Sequence, residues 1–322
     1  MTPSSVLVVK PSSLGDIVHS LPAVHYLKVT FPEAEISWVA NTEWVPLLEG
    51  NADLKTVIPF PRKEFGGPVG ILNFVQWCRG LSGLKPDLVL DFQGLFRSAW
   101  VSRSAKGKSV FGLSDSREAS RFCYDRRALV KPGQHSVDRC LALARLAGAD
   151  TSGPLQFPLP IGRTIRSLEL PDRFVVLHPF ARGAGKSLTP DEIFEFTHLL
   201  VPIPVVVVGR TRAHFTTDRN GLSLVNQTDL AELIWILRQS SFIVSVDSGP
   251  MHIGAAITSE LLSIHTWSDP ETVGPYNPDA WIWKAKQIYR VGSNRTGESW
   301  KGSEERPDIP QIGSFVRDRL LH

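Results

Sequence analysis

Short apolar runs alternate with segments of helical spacing along most of this chain. Residues 6–9 (VLVV) are continuously apolar, the pattern of a strand covered on both faces of a parallel sheet. Behind them Ile17, Leu21, Val24 and Leu27 recur three or four apart, which predicts a helix. The same reading predicts strands at 35–40, 56–59, 88–92 and 110–113, with helices over 71–84 and 136–147. Residues 151–170 interrupt it: five prolines or glycines precede Arg163, periodicity is weak, and a linker is predicted. The alternation restarts with strands at 174–178, 205–208, 222–225, 242–246 and 261–264. Helices are predicted over 190–200 and 230–238, from the Asp247-Ser248-Gly249-Pro250 turn through 256, and over 315–321. Residues 294–312 read as a polar, Pro/Gly-rich tail. Strands and helices alternating twice over predict two doubly wound parallel-sheet α/β domains facing each other across a cleft. The boundaries are placed at 1–165 and 166–300, with a tail and helix at 301–322.

Composition narrows the classes. At 322 residues two cores are the default, and 42% hydrophobic with 21% charged residues is ordinary for a globular protein. A net charge of +3 is too small to argue for nucleic acid; it suits an anionic substrate or an anionic membrane surface. Cys78, Cys123 and Cys140 have no metal-ligand spacing and read as free thiols in a reducing compartment. The N-terminus lacks the features of a signal peptide, and no apolar run approaches the ~20 residues of a membrane span. The expectation is a cytoplasmic protein that touches a membrane, if at all, from that side.

Candidate chemistry gathers at the carboxyl ends of predicted strands, where open α/β sheets place ligands. Lys10, Ser12, Ser13, Asp16 and His19 crowd the first such turn, with Gly15 letting the backbone turn tightly. Asp16 could be a helix cap or, in a cleft, a general base. Gln93 to Ser98, including Arg97, form a second polar turn, and Arg117 comes later in a charged stretch. Arg62 and Lys63 are either solvated loop charges or contacts to an anionic acceptor.

In the second half, Gly185-Lys186-Ser187 resembles a P-loop, but Phe180 stands where that motif needs glycine. A glycine-rich turn carrying Arg182 and Lys186 still suits phosphate, or is a solvated surface loop. At Asp247-Ser248-Gly249-Pro250 a strand ends, and proline takes the first helical position. The N–H groups of Gly249, Met251 and His252 would then form an anion site, with Ser248 adding a hydroxyl. Asp247 fits sugar hydroxyls, an orienting role, or a plain cap; His252 is a ligand contact or a structural histidine. No Gly-x-Gly-x-x-Gly comes after the first strand, no Asp-x-Asp pair exists, and no histidine spacing fits a metal.

Taken in order, VLVVKPSSLGDIVHSLPAV, LVLDFQGLFRSA, ARGAGKSLTP and SVDSGPMHIGAA, with GPYNP near Gly274, resemble the bacterial heptosyltransferases of lipopolysaccharide inner-core synthesis, glycosyltransferase family 9. The resemblance implies a two-domain GT-B fold of Rossmann-like domains. It also implies an inverting, metal-independent transfer of heptose from ADP-heptose to a lipopolysaccharide acceptor, Kdo-lipid A or heptosyl-Kdo-lipid A, without a cofactor. Asp16 would be the base. Arg182, Lys186, Ser187, Asp247, Ser248, Gly249, Met251 and His252 would bind the donor. Lys10, Ser12, Ser13, Gly15, Arg62, Lys63, Gln93, Arg97 and Arg117 would meet the acceptor. The implied protein is a monomer, without nucleic-acid partners, peripheral on the inner face of the cytoplasmic membrane. It differs from the family pattern where the valine strand runs into Gly209-Arg210-Thr211-Arg212 without an acidic residue, and in the extra glycine of the phosphate loop, which has no tryptophan after the lysine. Three other readings stand beside it: a non-catalytic nucleotide-sugar-binding protein, a GT-B enzyme using another sugar nucleotide, and an epimerase-like enzyme acting on the free sugar nucleotide.

Overall fold

The computed structural model describes residues 2–165, 168–183, 185–293 and 305–321. They form two compact units, Met1–Pro160 and Ile161–His322.

The first unit is built on β1 (Ser5–Val9), β2 (Glu35–Asn41), β3 (Thr56–Phe60), β4 (Leu88–Asp91), β5 (Ser109–Leu113) and β6 (Arg126–Ala128). They pair in the order β3-β2-β1-β4-β5-β6, every pair parallel. Around them pack α1 (Leu14–Thr30), α2 (Gly67–Gly80), α3 (Phe96–Ser104) and α4 (Ser136–Leu146). Val6 to Val9 are buried because both sheet faces are covered, which is why the run is apolar without alternation. The strand order reverses between β1 and β4, where Val9 lies opposite Asp91. The turns after these two strands therefore emerge side by side at the switch point.

The second unit repeats this plan. Its strands are β7 (Val175–His178), β8 (Val205–Val207), β9 (Gly221–Ser223), β10 (Phe242–Val246), β11 (Leu261–Ile264), β12 (Trp281–Lys284) and β13 (Gln287–Arg290). The order is β13-β12-β11-β10-β7-β8-β9, parallel except for the β12–β13 hairpin. Its helices are α5 (Pro190–Leu199), α6 (Leu230–Gln239), α7 (Gly249–Ile257), α8 (Pro270–Val273) and α9 (Ile309–Leu321). The switch point lies between β7 and β10, where Ser245 faces His178. Helix α9 joins the core through Ile309, Ile312, Val316 and Leu320. It can lie close on α5 because residue 313 is glycine; a Cβ there would come within 3.1 Å of Leu199.

Several expectations are corrected. Helix α1 begins at Leu14, so Gly15 is helical and buried instead of turning the chain, and Asp16 sits in the first turn. Helix α2 begins at Gly67, four residues before its predicted start, and Arg62 and Lys63 lie on a 3-10 turn, Arg62–Phe65. Pro250 takes the second position of α7, after Gly249. Strands β6, β12 and β13 have no counterpart in the predicted pattern, and α9 begins six residues before its predicted start. Of the polar tail, 294–304 lie outside the described residues, as do Arg166 and Ser167 of the linker and Ala184 of the glycine-rich loop. No helix among the described residues is long and apolar enough to cross a membrane.

Candidate active site

In the first unit the switch point opens into a pocket of about 300 Å³. Lys10, Asp16, Gln93 and Arg117 line it, joined by Asp115, Ser116, Arg139 and Cys140, which sequence reasoning did not select. Each position arises from local structure. Ser13 caps α1, and the Asp16 carboxylate accepts from the Ser13 N–H (2.9 Å) and hydroxyl (2.6 Å). Its other oxygen lies 3.8 Å from Lys10 Nζ, which donates to Phe92 O at 3.1 Å. Lys10 thus ties the turn after β1 to the turn after β4. Ser12 N–H adds a second tie, donating to Gln93 Oε1 at 3.2 Å.

The β4 turn is shaped by buried Asp91. Its carboxylate accepts from the Gln93 and Gly94 N–H groups, the Ser98 hydroxyl and the Tyr124 hydroxyl. Burial pushes the Asp91 carboxyl up, against the pull of these donors. Gly94 has φ +69°, a conformation that glycine adopts without strain, and its carbonyl receives the Arg117 N–H at 2.8 Å. Arg139, in the first turns of α4, pairs with Asp115 at 2.7 Å. The pocket therefore holds three cations against two carboxylates and faces the start of a helix, an arrangement that favours an anionic ligand. Arg62, Lys63 and Arg97 are exposed and are not among the residues lining it.

In the second unit the β7 turn carries the glycine-rich loop and the β10 turn carries Asp247 and Ser248. They meet: Lys186 Nζ donates to Asp247 Oδ2 at 3.2 Å. Lys186 also lies 4.0 Å above the Trp267 ring. Ser187 closes the loop, accepting from Ala181 N–H (2.9 Å) and donating to Ala181 O (3.2 Å). Arg182 is exposed. Ser248 caps α7, and its hydroxyl lies 3.1 Å from His178 Nδ1. Met251 departs from expectation: its side chain is fully buried, and its N–H donates to Ser248 O at 3.1 Å instead of facing outward. His252 is buried.

Sequence reasoning missed four supports here. Trp267 forms a wall for Lys186. The chain just before it is held by fully buried Lys284, whose Nζ donates to Thr266 O at 2.9 Å. His265 follows Ile264, whose carbonyl receives the Asp247 N–H at 3.1 Å, and Arg306 clamps the glycine-rich loop, donating to Gly185 O (3.3 Å), Ser187 O (3.2 Å) and Glu192 Oε1 (3.0 Å). Burial of Asp247 opposes its charged form, but His265, Lys186 and the Ser268 hydroxyl outweigh it and hold the carboxyl below the usual carboxylate range. Among the described residues no group of three or more His, Cys, Asp or Glu could hold a metal ion.

Burial pushes both His178 and His265 down to about 4. Above about pH 4 both rings are neutral in the fold, whereas in the unfolded chain they take protons near pH 6.5. Their contribution is therefore complete above pH 6.5 and lost as pH falls toward 4, by up to about 3 kcal/mol per ring. Thermal unfolding at pH 7.5 and pH 4.5 is expected to give a clearly lower Tm at the acid end, with a smaller drop in His265→Asn. Equal drops in the variant and the parent would exclude His265 from this effect.

The profile of glycosyltransferase family 9 (heptosyltransferase) matches residues 75–178 and 208–298. Lipopolysaccharide heptosyltransferase 1 of Pseudomonas aeruginosa PAO1 is 36% identical over 295 residues, covering 84% of this chain and 81% of that protein. Lipopolysaccharide heptosyltransferase 1 of Escherichia coli K12 is 26% identical over 309 residues, 90% of this chain and 96% of that one. Among solved structures, E. coli heptosyltransferase WaaC with ADP is similar with a TM-score of 0.79 at 21% identity, over 98% of this chain and 99% of that one. The fold they share is GT-B, two parallel-sheet α/β domains.

Proposed function

This chain belongs to glycosyltransferase family 9, and from that premise we infer that it is a heptosyltransferase of lipopolysaccharide core synthesis. We propose ADP-heptose as donor, and Kdo-lipid A or heptosyl-Kdo-lipid A as acceptor. Residues 1–165 hold the acceptor and 166–300 the donor, with a tail and helix at 301–322. The observation that carries this reading is the position of Asp16: a half-exposed carboxylate, fixed by Ser13, on the wall of a cation-rich pocket at a sheet's switch point.

The chemistry runs as a single displacement. Asp16 takes the proton from an acceptor hydroxyl, and that oxygen attacks the anomeric carbon on the face opposite the diphosphate. The bond from the anomeric carbon to the β-phosphate oxygen breaks, and ADP leaves with the electron pair, so the configuration inverts. Lys186 and the positive end of α7 meet the charge that develops on the diphosphate, the task a divalent ion performs elsewhere; we therefore propose that transfer needs no metal. Lys10, Gln93, Arg117 and Arg139 hold the anionic acceptor, with Ser12 and Ser13 shaping the turn beneath it and Gly15 in the first turn of α1 behind them. Ser187, Ser248, Gly249 and His252 shape the donor site, Arg182 stands at its edge, and Met251 anchors the start of α7 from the core. We place the protein as a monomer at the cytoplasmic face of the inner membrane.

The test is mass-spectrometric. Purified protein with ADP-heptose and Kdo-lipid A should add one heptose mass, with EDTA as without it. Loss of product in EDTA would overturn the metal-free mechanism. No product from ADP-heptose, while another sugar nucleotide reacts, would move the donor assignment. Arg306→Ala is expected to loosen the loop that carries Lys186 and weaken ADP binding by about tenfold, the value of one charged hydrogen bond. Calorimetry reads it; an unchanged Kd would leave Arg306 without a part in donor binding.

A further inference from the structure

Exposed large apolar side chains concentrate on one surface of the first unit. Helix α2 turns Gly70, Phe74, Trp77 and Cys78 toward the core, as a surface helix should. It also carries apolar residues that it leaves in solvent: Val69, Ile71 and Leu72 are 69%, 62% and 69% exposed. On α3, Phe96 and Trp100 are about half exposed, with ring centroids 6.0 Å apart, and Trp100 meets Phe74 of α2 at 6.5 Å. The exposed apolar residues of α2 and the aromatic pair on α3 thus belong to two helices in direct contact. At their border stand Arg62 and Lys63, on the 3-10 turn packed against α2, and Arg97 beside Phe96. All three are exposed, and none makes an ion pair among the described residues.

Aliphatic side chains, aromatic rings and unpaired cations together have the composition of a surface that lies in a lipid interface. We propose that the α2–α3 face docks on an anionic bilayer, its apolar residues entering the headgroup boundary and Arg62, Lys63 and Arg97 meeting lipid phosphates. Charge decides between lipid and a second copy of the chain. A two-fold dimer through this patch would set its own unpaired cations near one another, whereas anionic headgroups neutralise them. With no spanning helix among the described residues, attachment by these helices would be from the surface. The inference concerns this face alone and stands whether or not the donor and acceptor are those proposed above.

The test uses the whole protein and sedimentation with vesicles of phosphatidylethanolamine containing about one-third phosphatidylglycerol, against phosphatidylcholine alone. Binding is expected to the anionic vesicles, weak binding to the neutral ones, and release as salt rises past the range where surface charges are screened. The double variant Ile71→Ser, Leu72→Ser should lower the partition coefficient by about tenfold or more, through lost apolar burial alone. ADP affinity and Tm should not change in it, since both side chains face solvent. Equal partition by variant and parent would overturn the proposal, as would failure of the parent to bind anionic vesicles. A concentration-dependent dimer abolished by the double variant would also overturn it, assigning the face to a second copy. Heptose transfer to a lipid-free acceptor, assayed beside it, separates failure of this proposal from failure of the transferase reading.

Discussion

Asp16→Asn is expected to lower the rate of transfer by about 10²–10⁴-fold, the range for losing a general base. The amide is nearly isosteric with the carboxylate. Its oxygen can still accept from the Ser13 N–H and hydroxyl, so the first turn of α1 keeps its cap. What it cannot do is take a proton from the acceptor hydroxyl. Lys10, 3.8 Å away, loses an ionic neighbour but keeps its bond to Phe92 O. ADP affinity should therefore stay within about twofold of the parent while kcat collapses, because the change touches no group assigned to the donor. Rates by mass spectrometry and ADP binding by calorimetry separate the two. Undiminished turnover in this variant would sink the assignment of Asp16 as base.

Lys186→Ala should weaken ADP binding by about 10²-fold, the effect of removing a charged hydrogen bond of about 3 kcal/mol. Part of that loss comes from what is left behind. Asp247 is largely buried and ion-paired to Lys186, so truncation leaves a carboxylate facing the incoming diphosphate. Hence the double variant Lys186→Ala, Asp247→Asn should bind ADP more tightly than Lys186→Ala alone, a coupling that only neighbours produce. Equal ADP affinity in the parent and Lys186→Ala would remove the lysine from the donor site. Additive effects of the two changes would show that Asp247 does not act through it.

The placement of both residues was legible in the sequence because each comes after a buried apolar strand. Short continuous runs such as VLVV and FVVL, bounded by turn residues, fit strands of a sheet covered on both faces, and parallel order places the turns after such strands at one edge. The β12–β13 hairpin was not legible. Its two-residue turn is Ala285-Lys286, with φ of 48° and 61°, where Asn-Gly or Asp-Gly would have signalled it. Strand β12 also ends in a lysine that is fully buried against expectation, its charge directed at Thr266 O. Strand β6 has three residues, two of them arginine, and carries no apolar run at all.

The site divides in the same way. Lys10, Asp16 and Gln93 could be placed together because strand ends gather at a switch point. Arg139 could not, since its part depends on where α4 starts relative to the pocket. Arg306 reaches a loop more than a hundred residues earlier, and no spacing rule connects them. Met251 shows the converse: proximity to a motif marked it, but its place in the helix turns it into the core.

Helix α9 bears on how this chain is made. The first unit is a continuous segment whose strands and helices are all present once Pro160 has been synthesised, so it can close its core while translation continues. The second cannot. Ile309, Ile312, Val316 and Leu320 complete the cluster that contains β7, the first strand of that unit. For the whole interval between making Val175 and Leu320, those valines wait beside an unfilled groove. A ribosome-bound chain halted before α9 should hold a folded first unit and a protease-sensitive second one.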